Sequence, residues 1–400
     1  MPSLRQNPMV ARSFWRPPFW KWTVLLALVA GVVVLARWKP AASPAKPVAI
    51  ELLPFADSSP AWDGSYPSVV ISLSSESGRA SFKGSISLIK PTLRHDAPVN
   101  QFEVALDSGM FKLRQTDIFV ADVMPLSLTR TYRVWDAHSR AFGVGGNHPY
   151  DICPTGTRFP YTYTDLNLED GRRIYLPRIS KGTRYEDAVF RNGNAGSEFY
   201  DARDGWNGNG WTMTFPDGRR ILFPEAYYAK NYAQGAPVEM RDSAGNRIQL
   251  KRDKVRNLQQ LISPSGHTIT FKYDDSGRIL EAQDDAGTIR RYTYDFGGHV
   301  RIVQDATRVL YRFQYQRVRL DPGYDPFLMS EVRDGEGKVL LENFYRDRIR
   351  VSEQRLADGE VYRYDYIFDS SHKVMATIVT LPSSKVKRFF FKDGIPAGEK

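Results

Sequence analysis

Ser263-Pro264-Ser265-Gly266-His267-Thr268-Ile269-Thr270-Phe271-Lys272-Tyr273-Asp274-Asp275-Ser276-Gly277-Arg278-Ile279-Leu280 reads as one strand between two turns. Pro-Ser-Gly and Asp-Asp-Ser-Gly supply the turn residues. Between them, Ile269, Phe271 and Tyr273 fall on one face and Thr270 and Lys272 on the other, as the two-residue period of a strand requires. The pattern recurs. Gly245, Gly266 and Gly287 are 21 residues apart, as are Gly277 and Gly298, and Arg252-Asp253, Tyr273-Asp274, Tyr294-Asp295 and Tyr315-Gln316 keep the same spacing. One 21-residue unit is therefore two strands and two turns. A lone hairpin is marginal in water, so neighbouring units must stack to bury the aromatic face. After Tyr315 an insertion, Asp321-Pro322-Gly323-Tyr324-Asp325-Pro326, interrupts the pattern, and weaker echoes follow at Gly337, Tyr345-Arg346-Asp347, Gly359 and Tyr364-Asp365.

Upstream the signal is also β. Val69 to Leu73 is a strand run, and Phe102-Glu103-Val104-Ala105-Leu106 alternates, turns at Asp107-Ser108-Gly109 and alternates again from Met110 to Leu113. Leu126 to Tyr132 is a further alternating strand, followed by a glycine-rich loop from Gly143 to Pro149. Asp170-Gly171-Arg172-Arg173-Ile174-Tyr175-Leu176-Pro177 has a near copy in Asp217-Gly218-Arg219-Arg220-Ile221-Leu222-Phe223-Pro224. Asp-Gly marks a tight turn in each, and the residues after it a returning strand. Helical periodicity is scarce beyond Ser68, which predicts an all-β chain.

The N-terminus is different. Thr23 to Ala36 is an uncharged apolar run of 14 residues, flanked by Phe19, Trp20 and Trp22 on one side and Trp38 on the other. Aromatic belts at both ends extend it to the lower limit of a membrane span. Four basic residues precede the run, so the positive-inside rule leaves the N-terminus cytoplasmic and exports the rest. A cleaved signal peptide is the alternative, with Ser43-Pro44-Ala45 as a loose cleavage site. Residues 40–67 carry six prolines and read as an extended stalk.

Composition sets the outer limits. Hydrophobic residues at 42% and charged residues at 25% exclude wholesale disorder. One cysteine, Cys153, excludes a disulfide framework and a zinc site built from several cysteines. Six of the ten net positive charges come from residues 1–39, which contain no acid, and this argues against nucleic acid as the partner.

The repeat resembles the RHS/YD-repeat family. The matching residues are Tyr273-Asp274-Asp275-Ser276-Gly277-Arg278-Ile279 and Thr293-Tyr294-Asp295-Phe296-Gly297-Gly298, together with Arg241-Asp242-Ser243-Ala244-Gly245-Asn246-Arg247-Ile248. Residues 101–180 resemble the domain that often precedes those repeats. The resemblance covers residues 100–370 and implies a strip of β-hairpins that spirals into a sheet or shell. Long members enclose a C-terminal toxin, and related repeats serve in adhesion and sugar binding. This chain departs from the pattern in lacking the Asp-Pro-x-Gly-Leu core at which long members release the toxin. Asp321-Pro322-Gly323 is only a superficial echo of it. About seven 21-residue units fit into residues 240–395, too few for a hollow container, so an open curved sheet is expected.

No catalytic constellation emerges. The six histidines form neither H-x-x-x-H nor H-E-x-x-H, and His267 and His299 fall at turn edges, where exposed polar residues are expected. Asp136, His138, His148 and Asp151 bracket the glycine loop and would make an acid/base site only if one concave pocket gathered them. Cys153 lacks a helix to stabilise a thiolate, so a buried free thiol is the default. The repeat aspartates read as turn caps rather than calcium ligands. The cationic, aromatic stretch Lys385 to Lys392 reads as an edge strand. The best candidate binding patch is Gly205-Trp206-Asn207-Gly208-Asn209-Gly210-Trp211, where Trp206 and Trp211 could stack on a sugar with Asn207 and Asn209 in the same patch, or the tryptophans could be hairpin core.

These readings combine into one expectation: an all-β protein with an open curved sheet of YD repeats (236–395), an upstream β domain (68–235), a Pro-rich linker (39–67), a single transmembrane signal anchor (22–38) and a basic cytoplasmic tail (1–21). It is placed at the bacterial inner membrane with its C-terminal region outside, needs no cofactor or metal, and acts in binding or scaffolding toward a carbohydrate or an envelope protein. An envelope hydrolase, a protein self-cleaving at Asp321 and a remnant of a longer shell are the alternatives.

Overall fold

The computed structural model describes residues 68–75, 82–89, 97–134, 138–229, 232–318, 327–346 and 349–400, all within one compact unit, Ala56–Lys400. The expected tail, anchor and linker, Asp136 and the insertion at 321–326 lie outside the described residues. Among the described residues no helix is long and apolar enough to cross a membrane. Helical structure there amounts to two short 3-10 turns, Pro149–Asp151 and Tyr232–Gly235.

The repeat folds as its spacing requires. Nineteen strands, from Val189–Arg191 to Ile395–Glu399, form one antiparallel sheet in which each strand pairs with the next in sequence. Ile269 and Phe271 are buried while Thr270 and Lys272 are exposed. The turns explain the Asp-x-x-Gly motif. The Asp274 amide donates to the Arg278 carbonyl at 2.8 Å, the Gly277 amide donates back to Asp274 at 3.0 Å, and Asp274 Oδ1 accepts the Ser276 and Arg278 amides at 2.9 Å. Asp242, Asp295, Asp334 and Asp369 likewise accept the amide four residues on. The fourth position is left-handed, with φ of 75° at Gly277 and 84° at Gly298, which glycine adopts without the Cβ clash other residues meet.

The repeated tyrosine has a separate task. Tyr273, Tyr294, Tyr315, Tyr345 and Tyr366 donate from their hydroxyls to the carbonyls of Leu258, Ile279, Val300, Met329 and Val351 at 2.6–2.9 Å, each on the strand immediately upstream. Each bond ties a strand to the one before it and satisfies the phenol in an apolar setting. The last member is a correction. The Tyr364-Asp365 echo suggests Tyr364, but Tyr366 continues the 21-residue spacing from Tyr345, and the Tyr364 hydroxyl donates to Gln354 Oε1 instead.

The upstream region is a six-stranded sheet in the order Phe82–Ile89, Ser68–Ser75, Asn100–Ala105, Phe111–Val120, Leu126–Arg133, Gly146–Asn147. Its apolar face and the inner face of the repeat sheet share one core, including Phe102, Phe111, Leu113, Leu128, Phe142, Leu261, Ile269, Tyr292, Phe313, Leu341 and Val379. Backbone contacts cross between the layers. The Thr377 hydroxyl donates to the Leu106 carbonyl, and the Val351 amide to Gly109 at 2.9 Å. The Met329 amide donates to the Tyr132 hydroxyl at 3.1 Å, the Val144 amide to Gly298 at 2.9 Å and the Ile279 amide to Ala141 at 2.8 Å. The glycine loop is thus a contact surface. A Cβ at Gly143 would lie 2.0 Å from the Gly298 carbonyl oxygen. This approach also corrects the expectation for His299. Bridged to Gly143 through the backbone, stacked on Tyr315 at 4.6 Å and 5.6 Å from the Phe327 ring, it is 3% exposed, and burial lowers its pKa against the pull of Asp295. The basic stretch near the C-terminus is not an edge either, because Ile395–Glu399 pairs outside Val386–Lys392.

At the centre of the joint lies Arg130, 1% exposed. Its Nε donates to Asp117 Oδ2 at 3.1 Å, its Nη2 donates to Gln115, and its guanidinium stands 5.0 Å from the Phe313 ring. The Tyr292 hydroxyl, from the repeat sheet, donates to the same Asp117 oxygen at 2.9 Å. Burial works against the Arg130 charge, but Asp117 outweighs it and raises the pKa.

Two stability predictions follow from this geometry. Arg130→Met strands the Asp117 carboxylate in the core, and urea unfolding is expected to show a loss of about 3–5 kcal/mol. An unchanged midpoint would mean that the buried pair does not stabilise the fold. His372, with φ of 62°, occupies the turn position that glycine fills elsewhere, and His372→Gly is expected to raise stability by about 1 kcal/mol.

Candidate functional site

The strip starts ahead of its 21-residue units. Val189–Arg191, Arg203–Trp206, Gly210–Thr214 and Arg220–Pro224 pair in succession and continue into the repeats through Leu222 opposite Glu239. Register fixes which side chains share a face. Asp204 lies opposite both Phe190 and Met213, and Trp206 lies opposite Trp211. These five therefore share one face. It packs on a second core with Ile152, Leu166, Ile174, Leu176 and Phe199, contributed partly by the three-stranded sheet Cys153–Gly156, Tyr163–Asn167 and Arg173–Pro177. The Asp170-Gly171 and Asp217-Gly218 turns form as read, with Leu168 and Phe215 amides donating to Arg172 and Arg219 at 2.8 and 2.9 Å.

Where the second core meets the surface, a cleft of about 740 Å³ opens. Its walls include Tyr161, Tyr185, Trp206, Trp211, Tyr227 and Tyr228. Trp206 and Trp211 meet edge-on, 5.6 Å apart at 76°, and Tyr185 meets Trp206 at 4.9 Å and 79°. Tyr161 tilts against Trp211 at 6.5 Å and 35°. Arg158 lies 4.5 Å from the Tyr227 ring and donates to the Ala226 carbonyl at 3.4 Å. The volume is that of a small-molecule site.

Asp204 also lines the cleft while being only 1% exposed. Its Oδ1 has no hydrogen-bond partner among the described residues. Desolvation pushes its pKa up to about 7, against the opposing pull of the Gly205 amide.

Of the residues singled out by sequence, Trp206 and Trp211 line the cleft. Asn207 and Asn209 sit in the turn that joins them, outside its walls. The Asn207 side chain serves the turn: its Nδ2 donates to Thr212 Oγ1 at 2.8 Å and its Oδ1 accepts the Asn209 amide at 2.9 Å. The loop histidines do not assemble into a site. His148 is wholly buried, flanked by the Phe142 and Phe271 rings at 5.9 and 6.3 Å, and burial lowers its pKa. Asp151 lies 3.7 Å from His148 Nε2 but accepts Arg252 Nη1 at 2.8 Å. Burial opposes its charge, yet His148 and Arg252 outweigh it and hold its pKa low. His138 is exposed. Cys153 is buried, and desolvation pushes its pKa to about 12, which leaves an inert thiol. Asp204 escaped the sequence reading, although its place two residues before Trp206 puts both on one strand face. Tyr161 and Tyr185 reach the cleft through long-range packing that leaves no local signal.

Residues 103–176 match the family model described as Domain of unknown function (DUF6531). No curated protein matches the sequence. Among solved structures, TcdB2-TccC3 without its hypervariable C-terminal region is similar at 11% identity over 72% of this chain and 20% of that one, with a TM-score of 0.24. The Photorhabdus luminescens Tc holotoxin pore is similar at 10% identity over 82% of this chain and 22% of that one, with a TM-score of 0.18. A porin-like protein from Bacteroides uniformis is similar at 11% identity over 74% and 94% of the two chains, with a TM-score of 0.16. The chain spans about a fifth of the length of the two toxin chains.

The buried acid gives a signed prediction. A native-state pKa near 7 against 3.8 means that the folded protein keeps a proton the unfolded chain gives up. Asp204 therefore costs nothing below about pH 4, and stability falls as pH rises from about 4 to about 7 and levels off above that. Asp204→Asn is expected to leave unfolding at pH 4 unchanged and to stabilise the protein by about 2–4 kcal/mol at pH 8. Equal effects at both pH values would refute the assignment.

Proposed function

We propose that the protein is a short RHS/YD-repeat binding protein of the cell envelope. Its repeat strip is a filled scaffold, and its ligand enters the aromatic cleft on the flank. The observation that carries this reading is the core shared by the upstream sheet and the repeat sheet. A strip whose inner face is packed against its own N-terminal sheet has no interior left for cargo, so binding falls to the outer surfaces. The cleft, with its aromatic walls and a single buried acid, is the concave site that supports it. A toxin-related setting is part of this proposal and rests on the repeat motif, not on the structural superpositions. The membrane anchor at 22–38 and the outward orientation rest on the apolar run and its flanking charges.

An outward protease applied to intact cells, together with the mass of the mature chain, tests the placement. The expected result is an uncleaved chain whose C-terminal region is digested from outside. A protected C-terminal region would overturn the envelope reading, and trimming near Ala45 would convert the anchored protein into a released one. A single full-length species also excludes self-cleavage at Asp321.

A further inference from the structure

A buried carboxylic acid without a partner is costly unless it stays protonated or meets a cation. Asp204 lies on the strand face that carries Trp206 and Trp211, lines the cleft and has an orphaned Oδ1 among the described residues. The rings around it stand as walls. Trp211 is turned 76° from Trp206, and Tyr185 is turned 79° from Trp206. Saccharide stacking uses the broad face of one ring or a coplanar row of rings. Rings set nearly perpendicular to Trp206 instead bound a corner and direct different faces toward one compact group, and the negative ring faces attract a cation.

We propose that this cleft binds a quaternary ammonium group, with Trp206, Trp211, Tyr185 and Tyr161 as its walls and the Asp204 carboxylate as its counter-charge. The proposal rests on the reading of the cleft as the binding site. A primary ammonium would bring three N–H donors and need acceptors for all of them, whereas a quaternary ammonium has none to satisfy. The lining cation Arg158 does not compete for Asp204. It is engaged on the Pro224–Tyr228 side, over the Tyr227 ring and with the Ala226 carbonyl. Beside it, exposed Glu225 accepts the Tyr227 amide and adds a second negative charge to the lining. The chemistry is that of choline, free in solution or as a lipid headgroup.

Calorimetric titration of the full-length chain with choline chloride and with its neutral isostere 3,3-dimethylbutan-1-ol tests the charge directly. Choline is expected to bind at least tenfold more tightly than the alcohol. Asp204→Asn, nearly isosteric, is expected to lose at least tenfold for choline and little for the alcohol, and Trp206→Ala to lose both. An unfolding curve on each variant separates lost binding from lost folding. Co-sedimentation with phosphatidylcholine vesicles identifies the headgroup as the source, whereas binding of choline without vesicles identifies the free molecule. Equal affinity for choline and the alcohol, or an undiminished affinity in Asp204→Asn, overturns the cation assignment. If cellobiose binds in a Trp206-dependent way and choline does not, the cation is wrong while the cleft stands as a site. If none of the three small probes nor the vesicles bind, both readings fall.

Discussion

The joint between Arg130, Asp117 and Tyr292 sets the architecture. Arg130 and Asp117 come from the upstream sheet and Tyr292 from the repeat sheet, and all three are buried. Neither layer satisfies this group alone: separation would leave the Asp117 oxygen without the Tyr292 hydroxyl and expose the Phe313 ring beside Arg130. A buried pair of this kind is weak evidence for net stability, and its link to registry runs through the Tyr292 hydroxyl and the Phe313 ring, both of which a slip of one sheet over the other would remove. The apolar core around it supplies the driving force, and the polar group fixes which strands face each other.

That arrangement moves function to the flank. The strip's inner face is filled by Phe102, Phe111, Leu128 and Phe142 from the upstream sheet. The Val189–Pro224 strands continue the same ladder but turn their apolar face to a second core, and the aromatic cleft opens at its margin. The matched domain, 103–176, ends before these strands. It supplies most of the filling layer and one side of the second core, while Asp204, Trp206 and Trp211 belong to the second and third strands of the strip.

The periodic parts of the fold were legible in the sequence because their causes are local. Asp274 and Gly277 define a turn within five residues, and the alternation of Ile269, Phe271 and Tyr273 marks the buried face without reference to any distant strand. Tyr366 shows the limit of dipeptide matching. The hydroxyl bond to the carbonyl on the strand just upstream depends on spacing, so the 21-residue interval from Tyr345 identifies the residue and the Tyr-Asp dipeptide misidentifies it. His299 was misplaced because Gly143, which bridges it, lies over 150 positions away. At the site, Trp206 and Trp211 could be found from the turn between them. The meaning of Asp204 could not, since its burial depends on cores assembled from residues 152 to 223.

Native-state hydrogen exchange of the full-length chain tests the central claim, that the two layers stand only together. If the shared core governs stability, amides in Leu126–Arg133 and in Ile289–Tyr294 will exchange through one opening with the same free energy and the same denaturant dependence. Continued protection of Ile289–Tyr294 under conditions in which Leu126–Arg133 exchanges freely would show a repeat sheet that stands without its filling, and would contradict the account.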